Sequence, residues 1–391
     1  MNLALAKMDE PENDSESALV QVYDLLDVEP VSGHGSTLET ADGRRLIDFY
    51  GGHAVALLGY RHPKLLAALA QQANALFFQS NAVPMAVRER AARRLAEFAP
   101  AGLDRVFFVN SGAEANENAL RIALRAVGRP RVVALEGAFH GRTAAAAAVT
   151  WGARWYGFPR APFDVRFVPR EDPEALERAL SPGDVAAVIV EPVQGVAGAI
   201  ALSDAYLAEA RRLATAAGTL LVFDEVQCGM GRSGQPFVAQ ATGVTPDILT
   251  VAKGLAGGFP AGALLIGREL AETLRRGDLG TTFGGGPLAA ALVEATIDAI
   301  ESERLLSNVR ARAEQIVATC AVGPVETITG RGLLVGLRTR RPAKQIQREL
   351  LGRGFLVGTS ADPRAVRLLP PLVVTEREVA ALASALAELP A

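Results

Sequence analysis

The sequence contains few cysteines and few aromatic residues. Only two of its 391 residues are cysteines, Cys228 and Cys320. They lie far apart and without metal-ligand spacing, so we expect no metal site, no disulfide framework, and reduced thiols. Phe, Trp and Tyr make up 6% of the chain against 49% for all hydrophobic residues, so Ala, Val and Leu must fill most of the core.

The sequence also lacks an excess of one charge and a long apolar run. Lys and Arg total 40 while Asp and Glu total 43, a net charge of -3, which argues against nucleic acid or anionic lipid as a partner. The N-terminus becomes acidic after a few apolar residues, unlike a secretory signal peptide. The Ala-rich stretch Thr143–Thr150 is well short of the roughly 20 residues that span a bilayer. We therefore expect a cytoplasmic protein that binds neither nucleic acid nor membranes.

A chain of 391 residues is long enough for two domains. Between residues 61 and 288, short apolar runs alternate with helical stretches, which is the pattern of a mostly parallel sheet flanked by helices. We predict an α/β fold with a large domain over 61–288 and a smaller α+β domain. The smaller domain draws on both chain ends, namely residues 1–60, with a hairpin turn at Asp42-Gly43, and residues 289–391.

The apolar runs predict six strands in the large domain: Val106–Val109, Val132–Leu135, Val185–Val190, Leu220–Phe223, Ile248–Val251 and Ala263–Ile266. Two helices, Pro63–Phe78 and Pro84–Phe98, are predicted before them. The last hundred residues predict helices near Pro287–Leu306, Ala343–Leu351 and Glu376–Leu389, around short strands at Gly332–Leu337 and Arg367–Leu369.

Two of the predicted strands lead into residues that carry chemistry. Asp224 and Glu225 close the strand that begins at Leu220, and Lys253 follows the strand Ile248–Val251. In isolation, such an acid is as often a helix cap and such a lysine is usually a solvated strand exit. A buried lysine, however, loses proton affinity and becomes a nucleophile for carbonyls. Together the two residues suit pyridoxal phosphate (PLP), because the lysine can bond to the cofactor aldehyde while the aspartate keeps the ring nitrogen protonated.

A phosphate cradle is expected at Ser111-Gly112-Ala113-Glu114, which follows a predicted strand and opens an Ala-rich helix. The free amides and positive dipole of a helix N-terminus bind phosphate. The same residues also form a capping box, with Ser111 capping and Glu114 three positions on, and both interpretations can hold together. A dinucleotide or P-loop site is set aside, because no GxGxxG or GxxxxGK[ST] pattern opens a helix.

Six stretches of the chain, taken in order and spacing, resemble those of the class III, PLP-dependent aminotransferases, and within them the acetylornithine aminotransferase group. The stretches are Asn110–Glu117, Phe139–Thr143, Glu191–Gly195, Asp224–Gln227, Ala252–Gly254 and Thr281–Gly285. The similarity runs from about Val31 to the C-terminus. It implies a fold-type I PLP-dependent transferase that acts as a homodimer with shared active sites.

The resemblance implies a role for each matching residue at the cofactor. Lys253 would bond to PLP and move the proton during transamination, while Asp224 would pair with the ring nitrogen. Phe139 and Val226 would cover the two faces of the ring. The remaining contacts implied are Ser111, Gly112 and Ala113 at the phosphate, Gln227 near the ring hydroxyl, and Thr282 reaching the phosphate of the other subunit. His140 is expected to be structural.

The resemblance also implies the substrates. Arg142 would bind the α-carboxylate of an N2-acylornithine, Arg367 would bind a carboxylate of 2-oxoglutarate or glutamate, and Thr281 would lie beside the substrate. A guanidinium suits both tasks because its planar fork binds a carboxylate through two hydrogen bonds. The reaction implied moves the δ-amino group to 2-oxoglutarate, giving N-acylglutamate semialdehyde and glutamate in arginine biosynthesis.

Three departures from the family's pattern bear on the donor. Val196 stands where the family commonly has a Glu that pairs with the second arginine, Gly286 replaces a common Asn, and Tyr50–His53 differs from the usual segment at the substrate entrance. In these features the chain is similar to variants that act on N-succinylornithine. Ornithine, 4-aminobutyrate and acyl-lysine aminotransferases, PLP decarboxylases or mutases, and a PLP-binding regulatory pseudoenzyme remain as alternatives.

Overall fold

The computed structural model describes residues 18–152 and 156–391. It begins with an antiparallel sheet of three strands, β1 (Pro30–His34), β2 (Thr37–Thr40) and β3 (Arg45–Asp48). Gly43 lies in the turn between β2 and β3 with a φ of 82°, a conformation that glycine adopts without steric cost. The hairpin predicted at Asp42-Gly43 is confirmed.

Helices cover both faces of the large domain and connect its strands. Their bounds are α1 (Gly51–Ala54), a single turn, α2 (Pro63–Ala75), α3 (Ala86–Phe98), α4 (Gly112–Val127), α5 (Ala144–Ala148), α6 (Pro173–Leu180), α7 (Asp204–Ala216), α8 (Val238–Thr242) and α9 (Arg268–Glu272). Among the helices of the described residues, none is long and apolar enough to cross a membrane.

A mostly parallel sheet forms the centre of the large domain. The strands of this region are β4 (Arg105–Val109), β5 (Arg131–Leu135), β6 (Asp164–Val168), β7 (Val185–Val190), β8 (Val193–Gln194), β9 (Ile200–Ala201), β10 (Leu220–Asp224), β11 (Ile248–Val251) and β12 (Gly262–Ile266). Within the described residues, seven of them pair in the order β4-β12-β11-β10-β7-β5-β6, and β8 and β9 form a separate hairpin.

Only β12 among these seven described strands runs antiparallel to its neighbours β4 and β11. The six predicted strands are present, and the seventh, β6, was not predicted. Its sequence Asp-Val-Arg-Phe-Val alternates charged and apolar residues, and it lies at the sheet edge with one fully buried residue, Val168. An edge strand has no need of the continuous apolar run that marks the central strands.

The C-terminal part of the chain contains α10 (Pro287–Ser302), which packs on α2 and α3, followed by α11 (Leu305–Thr319), α12 (Ala343–Gly352) and α13 (Glu376–Ala387). Its strands are β13 (Val325–Arg331), β14 (Leu334–Thr339), β15 (Phe355–Leu356), β16 (Gly358–Thr359) and β17 (Ala365–Leu368). Strands β13, β14, β17 and β16 form one sheet in that order, and β15 pairs in parallel with β3. The two ends of the chain therefore share a sheet, and the predicted fold class is confirmed.

Two details of the small domain differ from the sequence prediction. The helix expected to continue to Leu306 ends at Ser302, because Arg304 adopts a left-handed conformation with a φ of 54° and α11 starts after it. The strand expected from Gly332 begins at Leu334, because Gly332, with a φ of 59°, belongs to the turn between β13 and β14. In both places one residue with positive φ sets an element boundary.

Candidate active site

Asp224 is buried at the C-terminal end of β10, with 4% of its surface exposed. Its Oδ2 accepts hydrogen bonds from His140 Nδ1 and from Asn116 Nδ2, both at 2.7 Å. Its Oδ1 accepts from the amide of Val226 at 3.0 Å. Asn116 is fixed in turn by Thr250, whose hydroxyl donates to Asn116 Oδ1 at 2.7 Å. These donors give both oxygens of the buried carboxylate hydrogen-bond partners.

Glu225 points away from this cluster. Its two oxygens accept the amides of Val238 at 2.6 Å and Ala239 at 2.8 Å, at the start of α8. Burial raises the pKa of Glu225 to about 7. Of the two acids at this strand end, Glu225 is therefore the one that caps a helix, and Asp224 is the one available to a ligand.

Lys253 follows β11 with a φ of 46° and opens a short 3-10 helix, Lys253–Ala256, that ends at Gly257. Burial lowers the pKa of the Lys253 amine, an effect that the nearby carboxylates of Asp224 and Glu191 oppose. The side chain is thus not a solvated strand exit. A desolvated amine with a lowered pKa is the state in which lysine attacks a carbonyl.

The start of α4 forms the expected cradle. Ser111 Oγ accepts the amide of Glu114 at 3.2 Å, so Ser111 caps the helix. The Glu114 carboxylate accepts the amide of Asn110 at 2.6 Å, one residue before the amide that a capping box would use. The amides of Gly112 and Ala113 have no acceptor among the described residues and are free to bind an anion. A Cβ on Gly112 would lie 2.7 Å from a methyl group of Val226, which places Val226 against the helix start.

Phe139 and Arg142 lie on the loop after β5. The amide of Phe139 donates to Glu191 Oε1 at 2.7 Å, and the Arg142 guanidinium carbon lies 5.8 Å from the centre of the Phe139 ring. Phe139 is half-buried and Arg142 is exposed. Phe139 therefore has an open side, unlike a side chain that only fills the core.

Arg367 is buried in β17, with 4% of its surface exposed. Its Nε donates to the carbonyl of Thr359 at 2.7 Å and one terminal nitrogen donates to the carbonyl of Gly195 at 3.1 Å. Within the described part of the chain it has no carboxylate at salt-bridge distance. Burial lowers the pKa of Arg367. A buried guanidinium held only by carbonyls is an anchor for a carboxylate ligand.

His53 connects these groups and was not singled out from the sequence as a site residue. It lies in a turn where Gly51 to Ala54 all have positive φ, and its ring nitrogens lie 2.6 Å from the hydroxyl of Tyr50. Burial, together with Arg367, Lys253 and Arg142, lowers the pKa of His53 to about 4. Hydrogen bonds from Phe139 to Glu191, from Gly195 to Glu191 and from Arg367 to Gly195 bring these segments together around a common space.

Gln227 and the two threonines complete the set of predicted residues. Gln227 Nε2 donates to the carbonyl of His53 at 3.3 Å, beside the common space. Thr281 Oγ1 accepts the amide of Gly284 at 3.1 Å and lies 3.5 Å from Asn110 Nδ2, near the cradle. Thr282 is exposed at the surface of this chain.

Sequence reasoning missed Asn116 and Glu191 as site residues and gave His140 no role in the chemistry. Asn116 was detectable as a polar residue on the Ala-rich buried face of α4. Glu191 was visible as an acid after the buried run of β7. The contacts of all three depend on packing between distant segments, which no local pattern reveals.

The arrangement fits PLP. A desolvated lysine, a buried carboxylate and free helix amides occupy the C-terminal edge of a mostly parallel sheet, and these are the groups that a cofactor with an aldehyde, a basic ring nitrogen and a phosphate requires. Among the described residues no cluster of acidic, His or Cys side chains could hold a metal ion. The fold and site define a fold-type I PLP enzyme.

Comparisons with known proteins agree. The sequence pattern of the family described as Aminotransferase class-III matches residues 21–389. Acetylornithine aminotransferase from Streptomyces clavuligerus is 42% identical, over 95% of this chain and 93% of its own length. Succinylornithine transaminase/acetylornithine aminotransferase from Pseudomonas aeruginosa is 40% identical, over 90% of this chain and 89% of its own. The structure of N-acetylornithine aminotransferase from Stenotrophomonas maltophilia superposes with a TM-score of 0.79 at 33% identity, covering 92% of this chain and 94% of that one.

The chain therefore belongs to the class III aminotransferases. It is a PLP-dependent enzyme of that class.

Proposed function

We propose that this enzyme transfers the δ-amino group of an N2-acylornithine to 2-oxoglutarate, giving N-acylglutamate semialdehyde and glutamate in arginine biosynthesis. The observation that supports the proposal is the position of Arg367, which is buried and bonded to the carbonyls of Thr359 and Gly195. Through Gly195 and Glu191 it is connected to the loop that carries Phe139 and Arg142. Relatives named for acetylornithine and succinylornithine support the donor. Two buried free cysteines support a cytoplasmic location.

When bound, PLP supplies an aldehyde that bonds to amines and a ring that takes up electron density. Lys253 would bond to the aldehyde until the donor amine displaces it, and its freed amine would then carry the proton between the donor carbon and the aldehyde carbon of the cofactor. Asp224 would hold the proton on the ring nitrogen, with Val226 and Phe139 on the ring faces and Gln227 at the ring hydroxyl. The phosphate would lie at Ser111, Gly112 and Ala113. The intact pair of Lys253 and Asp224 argues against a regulatory pseudoenzyme.

A panel of amino donors tests the proposal. Glutamate formation from 2-oxoglutarate is measured with N2-acetylornithine, N2-succinylornithine, ornithine, 4-aminobutyrate and an N-acyl-lysine. We expect the highest kcat/KM with one of the two N2-acylornithines, because Arg142 can bind the α-carboxylate while the acyl group masks the α-amine. A higher kcat/KM with ornithine, 4-aminobutyrate or acyl-lysine contradicts the assignment.

We further propose a homodimer in which Thr282 reaches the phosphate of the other subunit. In the single chain Thr282 is exposed, beside Phe283, which is 65% exposed and stacks on Phe78 with 5.3 Å between ring centres. A patch of exposed aromatic side chains such as this is typical of a surface that a partner subunit covers. The neighbouring surface also carries Leu76 and Phe77, which are exposed.

Mixed dimers test the shared site. Subunits carrying Lys253→Ala are mixed with subunits carrying Thr282→Ala under conditions in which exchange is verified. If Thr282 acts across the interface, each mixed dimer keeps one site with both residues intact, and activity partly returns. Mixing Lys253→Ala with Asp224→Ala is the control, since both residues serve the same chain's site and no activity should return. Absence of recovery in the first mixture rules out the shared phosphate contact.

Val196 bears on which acyl group is preferred. Its carbonyl accepts the amide of Ala361 at 2.8 Å, which holds this segment beside β16 and β17. With valine here, Arg367 has no carboxylate partner within the described residues. A donor with one carboxylate would use it at Arg142 and leave Arg367 unpaired. A second carboxylate on the donor, as in N2-succinylornithine, would relieve that unpaired charge.

We expect N2-succinylornithine to be preferred over N2-acetylornithine by roughly 10- to 150-fold in kcat/KM, which is the value of one charge-assisted hydrogen bond of about 1.5 to 3 kcal/mol. Val196→Glu should reduce that preference, whereas Val196→Gln, of similar size but without charge, should not. A better rate with acetylornithine in the wild type, or an unchanged ratio in Val196→Glu, contradicts the expectation.

A further inference from the structure

Glu191 is a buried carboxylate to which neither the sequence nor the proposed chemistry assigns a task. It follows β7 and is 5% exposed. Its Oε1 accepts the amide of Phe139 at 2.7 Å, and its Oε2 accepts the amide of Gly195 at 3.3 Å. Burial raises its pKa. Burying a carboxylate costs free energy of folding, and the two amide hydrogen bonds offset part of that cost.

The Gly195 peptide connects Glu191 to Arg367 in the small domain. Its amide donates to Glu191, and its carbonyl accepts from the guanidinium of Arg367 at 3.1 Å. On the other side, a Cβ on Gly195 would lie 1.6 Å from Gln227 Oε1, so a larger residue would have to displace the Gln227 side chain. The peptide is held from three directions and has little freedom to shift.

A continuous series of hydrogen bonds therefore joins two parts of the site. It runs from the Phe139 amide to the Glu191 carboxylate, through the Gly195 peptide, to Arg367. Phe139 belongs to the large domain and Arg367 to β17 of the small domain. Within the described residues, Glu191 is the carboxylate that acts electrostatically on both Arg367 and Lys253.

We propose that Glu191 is a positioning residue that fixes the distance between the wall formed by Phe139 and the carboxylate anchor Arg367. The proposal rests on the proposed roles of those two residues. Glu191 touches neither substrate nor cofactor in this scheme, and it acts through the Phe139 amide and the Gly195 peptide. It should therefore govern binding of 2-oxoglutarate more strongly than the chemical step.

Glu191→Gln tests the branch to Arg367. A glutamine side chain can accept through one atom only, so one amide loses its acceptor, and the weaker contact at 3.3 Å to Gly195 is the one expected to break. We expect the KM for 2-oxoglutarate to rise roughly 10- to 100-fold, the effect of misplacing a binding group by about 1 Å. The kcat at saturating 2-oxoglutarate should change less. Loss of a negative charge near Arg367 would by itself strengthen the binding of an anion such as 2-oxoglutarate. A raised KM therefore indicates that Arg367 has moved, and not that the charge has changed.

Glu191→Asp tests the branch to Phe139, because it keeps the charge and shortens the reach by one methylene. We expect the visible circular dichroism band of bound cofactor to weaken in Glu191→Asp and to persist in Glu191→Gln. The matched control is Glu225→Gln, which alters another buried strand-end acid that accepts two backbone amides. It should lower the thermal unfolding temperature without changing the KM for 2-oxoglutarate or the dichroism.

An unchanged or lowered KM in Glu191→Gln overturns the proposal, as does the same change in KM in Glu225→Gln. If one Glu191 variant does not fold, the other supplies the test. For Glu191→Gln the measurement is the KM for 2-oxoglutarate, and for Glu191→Asp it is the dichroism of bound cofactor. The result for Glu191 can be distinguished from an error in the proposed amino donor. The half-reaction of 2-oxoglutarate is measured on enzyme loaded with pyridoxamine phosphate, which supplies the amino group. Neither it nor the dichroism needs an acylornithine, so both remain informative if the donor panel selects another amine.

Discussion

Lys253→Ala should abolish transamination, with kcat reduced by at least about 10⁴-fold, because one side chain supplies both the bond to the cofactor and the proton transfer. The enzyme should still take up PLP through the α4 cradle, without a covalent link. Sodium borohydride should fix the cofactor to the Lys253 peptide in the wild type and to no peptide in the variant, as seen by mass spectrometry. Near-normal turnover with cofactor still fixed to the variant would falsify the assignment.

The same variant should make the cofactor-free protein more stable. Burial lowers the pKa of Lys253, so the unfolded chain binds this proton more tightly than the folded chain does. The amine therefore opposes folding at pH values below its unfolded pKa, and the opposition fades as pH rises through the interval between the folded and unfolded values. Alanine at the same positive φ keeps the backbone strain and removes the amine together with three methylene groups.

A matched lysine control separates the two effects. Lys344 is exposed and pairs with Asp24 at 2.6 Å on the surface of the small domain. Lys344→Ala should leave kcat, borohydride labelling and the unfolding temperature nearly unchanged, since exposed ion pairs contribute about 0 to 1 kcal/mol. A rise in unfolding temperature in both variants would show that it does not come from the buried amine.

The apolar pattern was sufficient to locate the strand ends that carry Asp224 and Lys253, whereas the choice of Asp224 over Glu225 depended on the resemblance to the family. Successive side chains of a strand point to opposite faces, so two adjacent acids at one strand end cannot both face the same ligand. Which face holds the ligand depends on the helices that pack there. In the structure, α8 takes Glu225 and α4 supplies the Asn116 that binds Asp224.

The buried contacts around Asp224 were beyond sequence reasoning for a related reason. Asn116 and His140 reach Asp224 across 108 and 84 residues, and both rely on the close approach of the loop after β5 to the start of α4. Gly141 permits that approach, since a Cβ there would lie 2.8 Å from the Cβ of Ala113. Local propensity predicts elements, whereas contacts of this kind follow from how the elements pack.

Removing the carboxylate itself is the second large effect. Asp224→Ala should slow transamination by about 10²- to 10³-fold, the loss found when a charge that stabilises a transition state is removed. Without the carboxylate, the cofactor ring nitrogen would not stay protonated and electron uptake would be weak. The change should also cost about 1 to 3 kcal/mol of folding free energy, because His140 Nδ1 and Asn116 Nδ2 lose a buried acceptor.

Asp224→Asn distinguishes charge from support. An asparagine oxygen can still accept from His140 and Asn116, so the unfolding temperature should stay closer to that of the wild type than in Asp224→Ala. The amide has no negative charge to hold a proton on the ring nitrogen, so kcat should fall about as far as in the alanine variant. Glu225→Gln, at the neighbouring position on the opposite face, should lower stability and leave kcat within a few-fold of the wild type. Wild-type turnover in Asp224→Asn would show that the charge of Asp224 has no part in catalysis. Wild-type stability without activity would show that catalysis requires that charge, as expected for a partner of the ring nitrogen.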